Sequence, residues 1–165
     1  MADFNIGEVA ELAKKLIAEN GYFIQGTLGN EEKLHPAYYY TSGLSYAREK
    51  RYPELVMAGW LEPSQIAGFL SDAVEAMRAG RIVPKGAGYY PGVFANCDVG
   101  IVPIRPRGGD SVVLIPESAD AFLVVIPDPA GLFPWEKGCS EDYADQVKGF
   151  DLVALPPPRN SGTLH

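Results

Sequence analysis

Pro63-Ser64-Gln65-Ile66-Ala67-Gly68-Phe69-Leu70-Ser71-Asp72-Ala73-Val74-Glu75-Ala76-Met77-Arg78-Ala79-Gly80 is the stretch on which the fold turns. Ile66, Phe69, Leu70, Ala73, Val74 and Met77 recur at helical spacing on one face, Pro63 suits a first turn, and Gly80 suits a stop. Beyond Gly80 the helical period is lost. Val93 to Cys97, Val99 to Ile104, Ser111 to Ile115 and Ala121 to Ile126 are short apolar runs punctuated by Gly and Pro, and they read as strands. Arg107-Gly108-Gly109-Asp110 reads as a hairpin turn between two of them.

Upstream of this stretch, Val9, Leu12, Ala13, Leu16 and Ile17 mark a helix from Gly7 to Asn20, with Gly21 at its C-terminal cap. Tyr22 to Leu28, Tyr38 to Leu44 and Leu55 to Trp60 have strand composition, and Gly26 to Asn30 reads as a turn region. Helices near the front and strands after them, without a regular βαβ alternation, predict an α+β domain. The expected form is a mainly antiparallel, strongly twisted sheet with two principal helices packed on it. Residues 1–150 form the expected globular domain, and 151–165 a loose, Pro-rich tail.

Composition bounds the function. A chain of 165 residues with 47% hydrophobic content can bury a core without disulfides, because a chain of this size hides roughly 70% of its unfolded surface. The net charge of −7 argues against a nucleic-acid footprint, which needs clustered Lys and Arg. Cys97 and Cys139 are too few for a disulfide framework and read as reduced thiols. The chain lacks a signal-peptide pattern at its start and a run of apolar residues long enough for a bilayer, so a cytoplasmic setting without membrane partners is expected.

Two turn-rich signatures stand out. One is Tyr40-Thr41-Ser42-Gly43-Leu44 with Pro53-Glu54-Leu55, and the other is Pro127-Asp128 with Phe133-Pro134-Trp135-Glu136-Lys137-Gly138 and Gln146. Together with the glycine closing the second helix, they resemble the bacterial domain-of-unknown-function family 4262 over roughly Gly21 to Phe150. The resemblance implies small bacterial cytosolic proteins and carries no agreed activity with it. Ser42 stands where a larger or β-branched residue is expected in that family.

The signatures hold no complete catalytic arrangement. Ser42 lacks the first glycine of a nucleophile elbow and a credible base, since the histidines are His35 and His165. His35, Cys97 and Cys139 have no metal-ligand spacing, so neither metal nor cofactor is expected. The Gly86-Ala87-Gly88 pair lacks the ending of a phosphate loop. Arg105 and Arg107 could fork onto an anion, although a solvated turn is the plainer reading. Glu54, Asp128 and Glu136 could do acid–base work if folding paired them in a cleft, against a simpler role in which Asp stabilises a turn. Tyr38, Tyr39, Tyr40, Phe133 and Trp135 could line a pocket, against a plainer role in core packing.

The expected function is therefore a non-catalytic small-ligand-binding or regulatory domain, with Tyr40, Thr41, Ser42, Glu54, Arg105, Asp128, Phe133, Trp135 and Gln146 as candidate pocket residues. Two alternatives stand beside it: a cofactor-free hydrolase or transferase using Glu54 or Asp128 with Arg105, and an immunity-like or stress-related interaction module. The partner is an unknown small molecule or protein, and a homodimer stays open.

Overall fold

The computed structural model describes residues 6–27, 36–47, 49–95, 97–105 and 120–159, with side chains from Glu11 onward except that of Thr27. Of the turn expected at Gly26 to Asn30, Gly26 and Thr27 belong instead to a strand and the rest lies outside the described residues, as do the hairpin at Arg107 to Asp110, the strand Ser111 to Ile115, and His35, Arg107 and His165.

The architecture is α+β. Helix α1 (Ile6–Asn20) leads into strands β1 (Phe23–Thr27), β2 (Ala37–Ser42) and β3 (Glu54–Gly59), and helix α2 (Pro63–Arg78) comes after them. Strands β4 (Gly88–Phe94), β5 (Cys97–Arg105) and β6 (Ala121–Val125) come next, then the short α3 (Glu141–Ala144) and the two-residue β7 (Asp151–Leu152). One sheet runs β1-β2-β3-β6-β5-β4, with β7 on β5. It is mainly antiparallel, as expected from sequence, but mixed: β3 and β6 are parallel and every other pair is antiparallel. Two antiparallel meanders, β1-β2-β3 and β4-β5-β6, are thus joined at a single parallel seam.

Helix α2 begins where Pro63 occupies a first-turn position and Glu62 N–H donates to Gln65 Oε1 at 3.2 Å. It ends at Gly80, whose φ of 80° suits glycine. Its inner face, Ile66, Leu70, Ala73, Val74 and Met77, packs on one side of the sheet with Leu55, Met57, Ile101, Phe122 and Val124. Full burial of each large apolar side chain there is worth about 1.5–3 kcal/mol. The other side of the sheet has its own core of Tyr40, Val56, Val102, Ile104, Leu123, Val125 and Phe133. Alternation along β2 sends Tyr38 and Tyr40 to this second side and Tyr39 to the first, so both faces are covered.

The expected strand Val93 to Cys97 instead straddles a turn, and the glycine-rich segment before it supplies the start of β4. Residues 151–159, read as the start of a loose tail, make specific contacts: β7 pairs with Ile104 and Arg105, Val153 N–H donates to Pro103 O at 2.8 Å, and Pro156 is buried. Among the described residues, no helix is long and apolar enough to cross a membrane.

Candidate functional site

The first signature closes around Glu54. The ladder between β2 and β3 is registered as far as Tyr40 opposite Val56. One step on, the Thr41 hydroxyl accepts from Leu55 N–H at 2.9 Å, in place of a backbone carbonyl. The same hydroxyl donates to Glu54 Oε1 at 2.8 Å, and Leu44 N–H reaches that oxygen at 3.3 Å. Glu54 Oε2 accepts from Ser45 N–H at 3.0 Å and Ser45 Oγ at 2.6 Å. Glu54 is 1% exposed, and its four donors leave it no lone pair aimed at a substrate. It ties the start of β3 to a 3₁₀ turn, Leu44–Tyr46. Ser42 Oγ accepts from Gln25 Nε2 at 3.0 Å and has no base beside it among the described residues.

That turn can form because Gly43 sits at φ 117°, and a Cβ there would lie 3.0 Å from Gly21 O and 3.1 Å from Ile17 Cγ1. A side chain at Gly43 would thus meet the end of α1.

The second signature is a loop folded around Asp128. Its Oδ1 accepts from Ala130 and Leu132 N–H at 2.9 and 2.8 Å, and its Oδ2 from Ser140 N–H at 2.8 Å. These bonds, led by the one from Ser140, hold the Asp128 carboxyl below the usual carboxylate range, although burial opposes them. Asp128 is thus a loop organiser. Glu136 does similar work, accepting from Phe133 N–H at 2.9 Å and from Arg159 Nε at 3.0 Å. Trp135 lies flat on Phe133, with centroids 5.3 Å apart and planes at 8°, and donates from Nε1 to Tyr89 Oη at 2.8 Å. The stack rests on β5 at Gly100, where a Cβ would come within 3.1 Å of Trp135 Cη2 and 3.2 Å of Phe133 Cε1. Gln146 completes the end of β6 as a strand would. Its Oε1 accepts from Ile126 N–H at 2.9 Å, and its Nε2 donates to Ile126 O and Tyr143 O, both at 2.8 Å.

These residues do not share a cleft. Glu54 is level with Ala121 at the start of β6. Asp128 lies past the far end of that strand, roughly 20 Å away at about 3.3 Å per residue. Arg105 is at the Glu54 end, one step past the Ile104–Ala121 pair, and it is exposed while Glu54 is sealed. Acid–base partnership of Glu54 with Asp128 therefore has no geometric support. The structure does bring together Thr41 with Glu54, and Phe133 with Trp135, while Tyr40 sits 3% exposed in the second core. Among the described residues, no group of three or more His, Cys, Asp or Glu is placed to hold a metal ion.

A sizeable concavity lies beside the first signature. A groove of about 890 Å³ runs between the end of α1 and the segment 43–52, with Ile17 and Leu44 among its apolar lining and Tyr46, Glu49, Lys50, Tyr52 and Arg78 supplying polar groups, two of them cationic and one acidic. Lys50 Nζ stands 5.1 Å from the Tyr52 ring centroid, a cation–π distance. Arg78 caps α1 by donating from Nη2 to Asn20 O at 2.8 Å, while its guanidinium lies 4.9 Å from the Tyr22 ring. Gly21 makes room for this, because a Cβ there would fall 2.5 Å from Arg78 Nη2. Burial, and then the Glu54 charge, raise the Tyr46 phenol above its ordinary range. The groove wall is thus the Leu44–Tyr46 turn, and the Glu54 knot fixes it from behind.

Residues 16–140 match the model of a protein family described as Domain of unknown function (DUF4262). The chain belongs to the DUF4262 family. No curated protein and no solved structure matches it. The DUF4262 match takes in both signatures up to Gly138 and the whole groove, and it stops before Gln146 and Arg159, which nonetheless complete the described structure. Sequence reasoning passed over Tyr46, Lys50, Tyr52, Arg78, Tyr89 and Arg159. A local signal existed in Arg48-Glu49-Lys50-Arg51, a basic run in an otherwise acidic DUF4262 chain.

Proposed function

We propose that this DUF4262 protein is a non-catalytic domain that binds a small amphipathic ligand in the groove between α1 and residues 43–52. The ligand has an apolar or aromatic body and a carboxylate or similar anionic group. The observation that carries this reading is the combination at one place of cavity size, apolar walls and polar tips. Ligand pockets commonly measure about 300–1,000 Å³, are mostly apolar, and carry a few polar groups that fix orientation. Lys50 supplies a charge at the rim, and the Tyr46 and Tyr52 hydroxyls supply hydrogen bonds. The hydrogen-bonded carboxylates of the signatures, saturated by backbone and hydroxyl donors, support positioning over chemistry.

The test is a thermal-shift screen of the full chain against aromatic and aliphatic carboxylates, then calorimetry on the native protein, Lys50→Ala and Tyr52→Ala. The expected result is saturable binding, weakened about tenfold or more by either substitution, as loss of a charge-assisted contact of about 1.5–3 kcal/mol requires. A screen without hits, or hits indifferent to both substitutions, refutes the reading.

A further inference from the structure

The segment 153–159 crosses from β7 toward the second signature and ends, among the described residues, with Arg159 held on several sides. Arg159 Nε donates to Glu136 Oε2 at 3.0 Å, and its Nη2 donates to Gly131 O at 2.7 Å and to Glu136 Oε1. The guanidinium carbon stands 5.0 Å from the Phe133 ring centroid and 5.5 Å from that of Tyr89. A carboxylate taken in a two-point fork, a carbonyl and two aromatic rings are the ordinary parts of a guanidinium receptor.

The receptor is assembled by contacts that do not involve Arg159. Glu136 is oriented by Phe133 N–H, and Gly131 by its own N–H donating to Asp128 O at 2.8 Å within the Asp128 loop. Tyr89 is held by Trp135 Nε1, and Phe133 by its stack with Trp135 over Gly100. The occupant arrives separately, on a Pro156-Pro157-Pro158 strap beyond the DUF4262 match. It is also reachable, since the Arg159 and Glu136 side chains are 28% and 22% exposed.

We propose that Gly131, Phe133, Glu136 and Tyr89 form a guanidinium-binding site, filled in cis by Arg159 and open to the arginine side chain of an extended peptide of another protein when the strap lifts. The strap is then a built-in competitor. A short tether keeps its own arginine at an effective concentration on the order of millimolar, which a peptide supplied in trans must overcome. The forked geometry selects arginine over lysine, because an ammonium cannot engage both carboxylate oxygens in one plane.

The test uses the full chain and N-acetylarginine methylamide as probe, with the lysine analogue as control, read by the amide chemical shifts of Gly131, Phe133 and Glu136. In Arg159→Ala the site is vacated, and the arginine probe is expected to give saturable shifts, with the lysine probe about tenfold or more weaker. The native chain should respond only at concentrations about tenfold higher, because the tethered side chain competes. Adding Glu136→Gln to Arg159→Ala should abolish the response. If Arg159→Ala does not fold, Arg159→Lys serves, since it keeps the charge and loses the fork. Equal responses to the two probes, or a response that survives Glu136→Gln, overturn the proposal and leave Arg159 as an intramolecular clasp only.

Discussion

Replacing Glu54 is the sharpest test of the view that the first signature is a support for the groove wall. Glu54→Ala removes four accepted hydrogen bonds at once. Ser45 is half-buried, so water can reach its two donors. Leu44 N–H and the Thr41 hydroxyl are sealed, at 1% and 0% residue exposure, and are left without that acceptor. Stranding a buried donor costs about 1–3 kcal/mol, so the two together, with the lost packing, should destabilise the chain by about 3–5 kcal/mol. Glu54→Gln keeps the shape. One amide oxygen can still serve Thr41 and Leu44, but the amide nitrogen then faces Ser45 N–H, donor against donor, at a cost of about 1–3 kcal/mol. Urea unfolding monitored by circular dichroism should rank native, Gln and Ala in falling stability with similar denaturant slopes. If Gln matches the native chain within about 0.5 kcal/mol, or Ala proves the milder change, the acceptor network is not what holds this turn.

Other substitutions probe the second signature. Gly100→Val should push Trp135 and Phe133 off β5, since even a Cβ comes within 3.1 Å of Trp135, and overpacking of this kind costs about 1–3 kcal/mol. An unchanged near-ultraviolet spectrum and melting temperature would contradict the stack. Gln146→Leu should cost about 2–4 kcal/mol by leaving the buried Ile126 N–H and C=O without their partner, read by thermal melts. Asp128 gives a pH signature. Its folded pKa lies below the unfolded value, so its contribution is present above the unfolded carboxylate value of about 3.9 and is lost as pH falls through the folded one. The melting temperature of the native chain should therefore drop more steeply below about pH 4 than that of Asp128→Asn, and parallel profiles would reject the assignment.

Sequence pattern located what is local. Helix α2 stops at Gly80 and α1 at Gly21 because both glycines adopt left-handed backbone there, a property of the residue itself. The turn-stabilising role weighed for Asp128 against acid–base work matches the bonds it makes to Ala130 and Leu132. Neighbour relations were not legible. Nothing in Glu54-Leu55-Val56 says that it lies parallel to Ala121-Phe122-Leu123, and that register is what sends Glu54 and Asp128 to opposite ends of the sheet. The groove escaped notice because Tyr46, Lys50 and Tyr52 have no periodicity, and their significance arises only when the end of α1 packs opposite them. Proline content told that residues 156–158 are extended, but an extended segment can be docked or free, and the docking rests on long-range partners: β7 on β5, Val153 on Pro103, and Arg159 on Glu136.

The parallel seam has a kinetic consequence. Each meander closes through contacts between strands near in sequence, whereas Glu54 meets Ala121 only after α2, β4 and β5 have been threaded between them. Pairings that close long loops form slowly, because chain entropy is lost before contacts compensate it. The two three-stranded halves are therefore expected to form early and the seam late. Until it closes, Val56 and Leu123, fully buried in the finished sheet, are left at open strand edges. During synthesis this interval lasts until β6 has left the ribosome, so the chain's most aggregation-prone moment is set by how the halves are joined, not by how either is built.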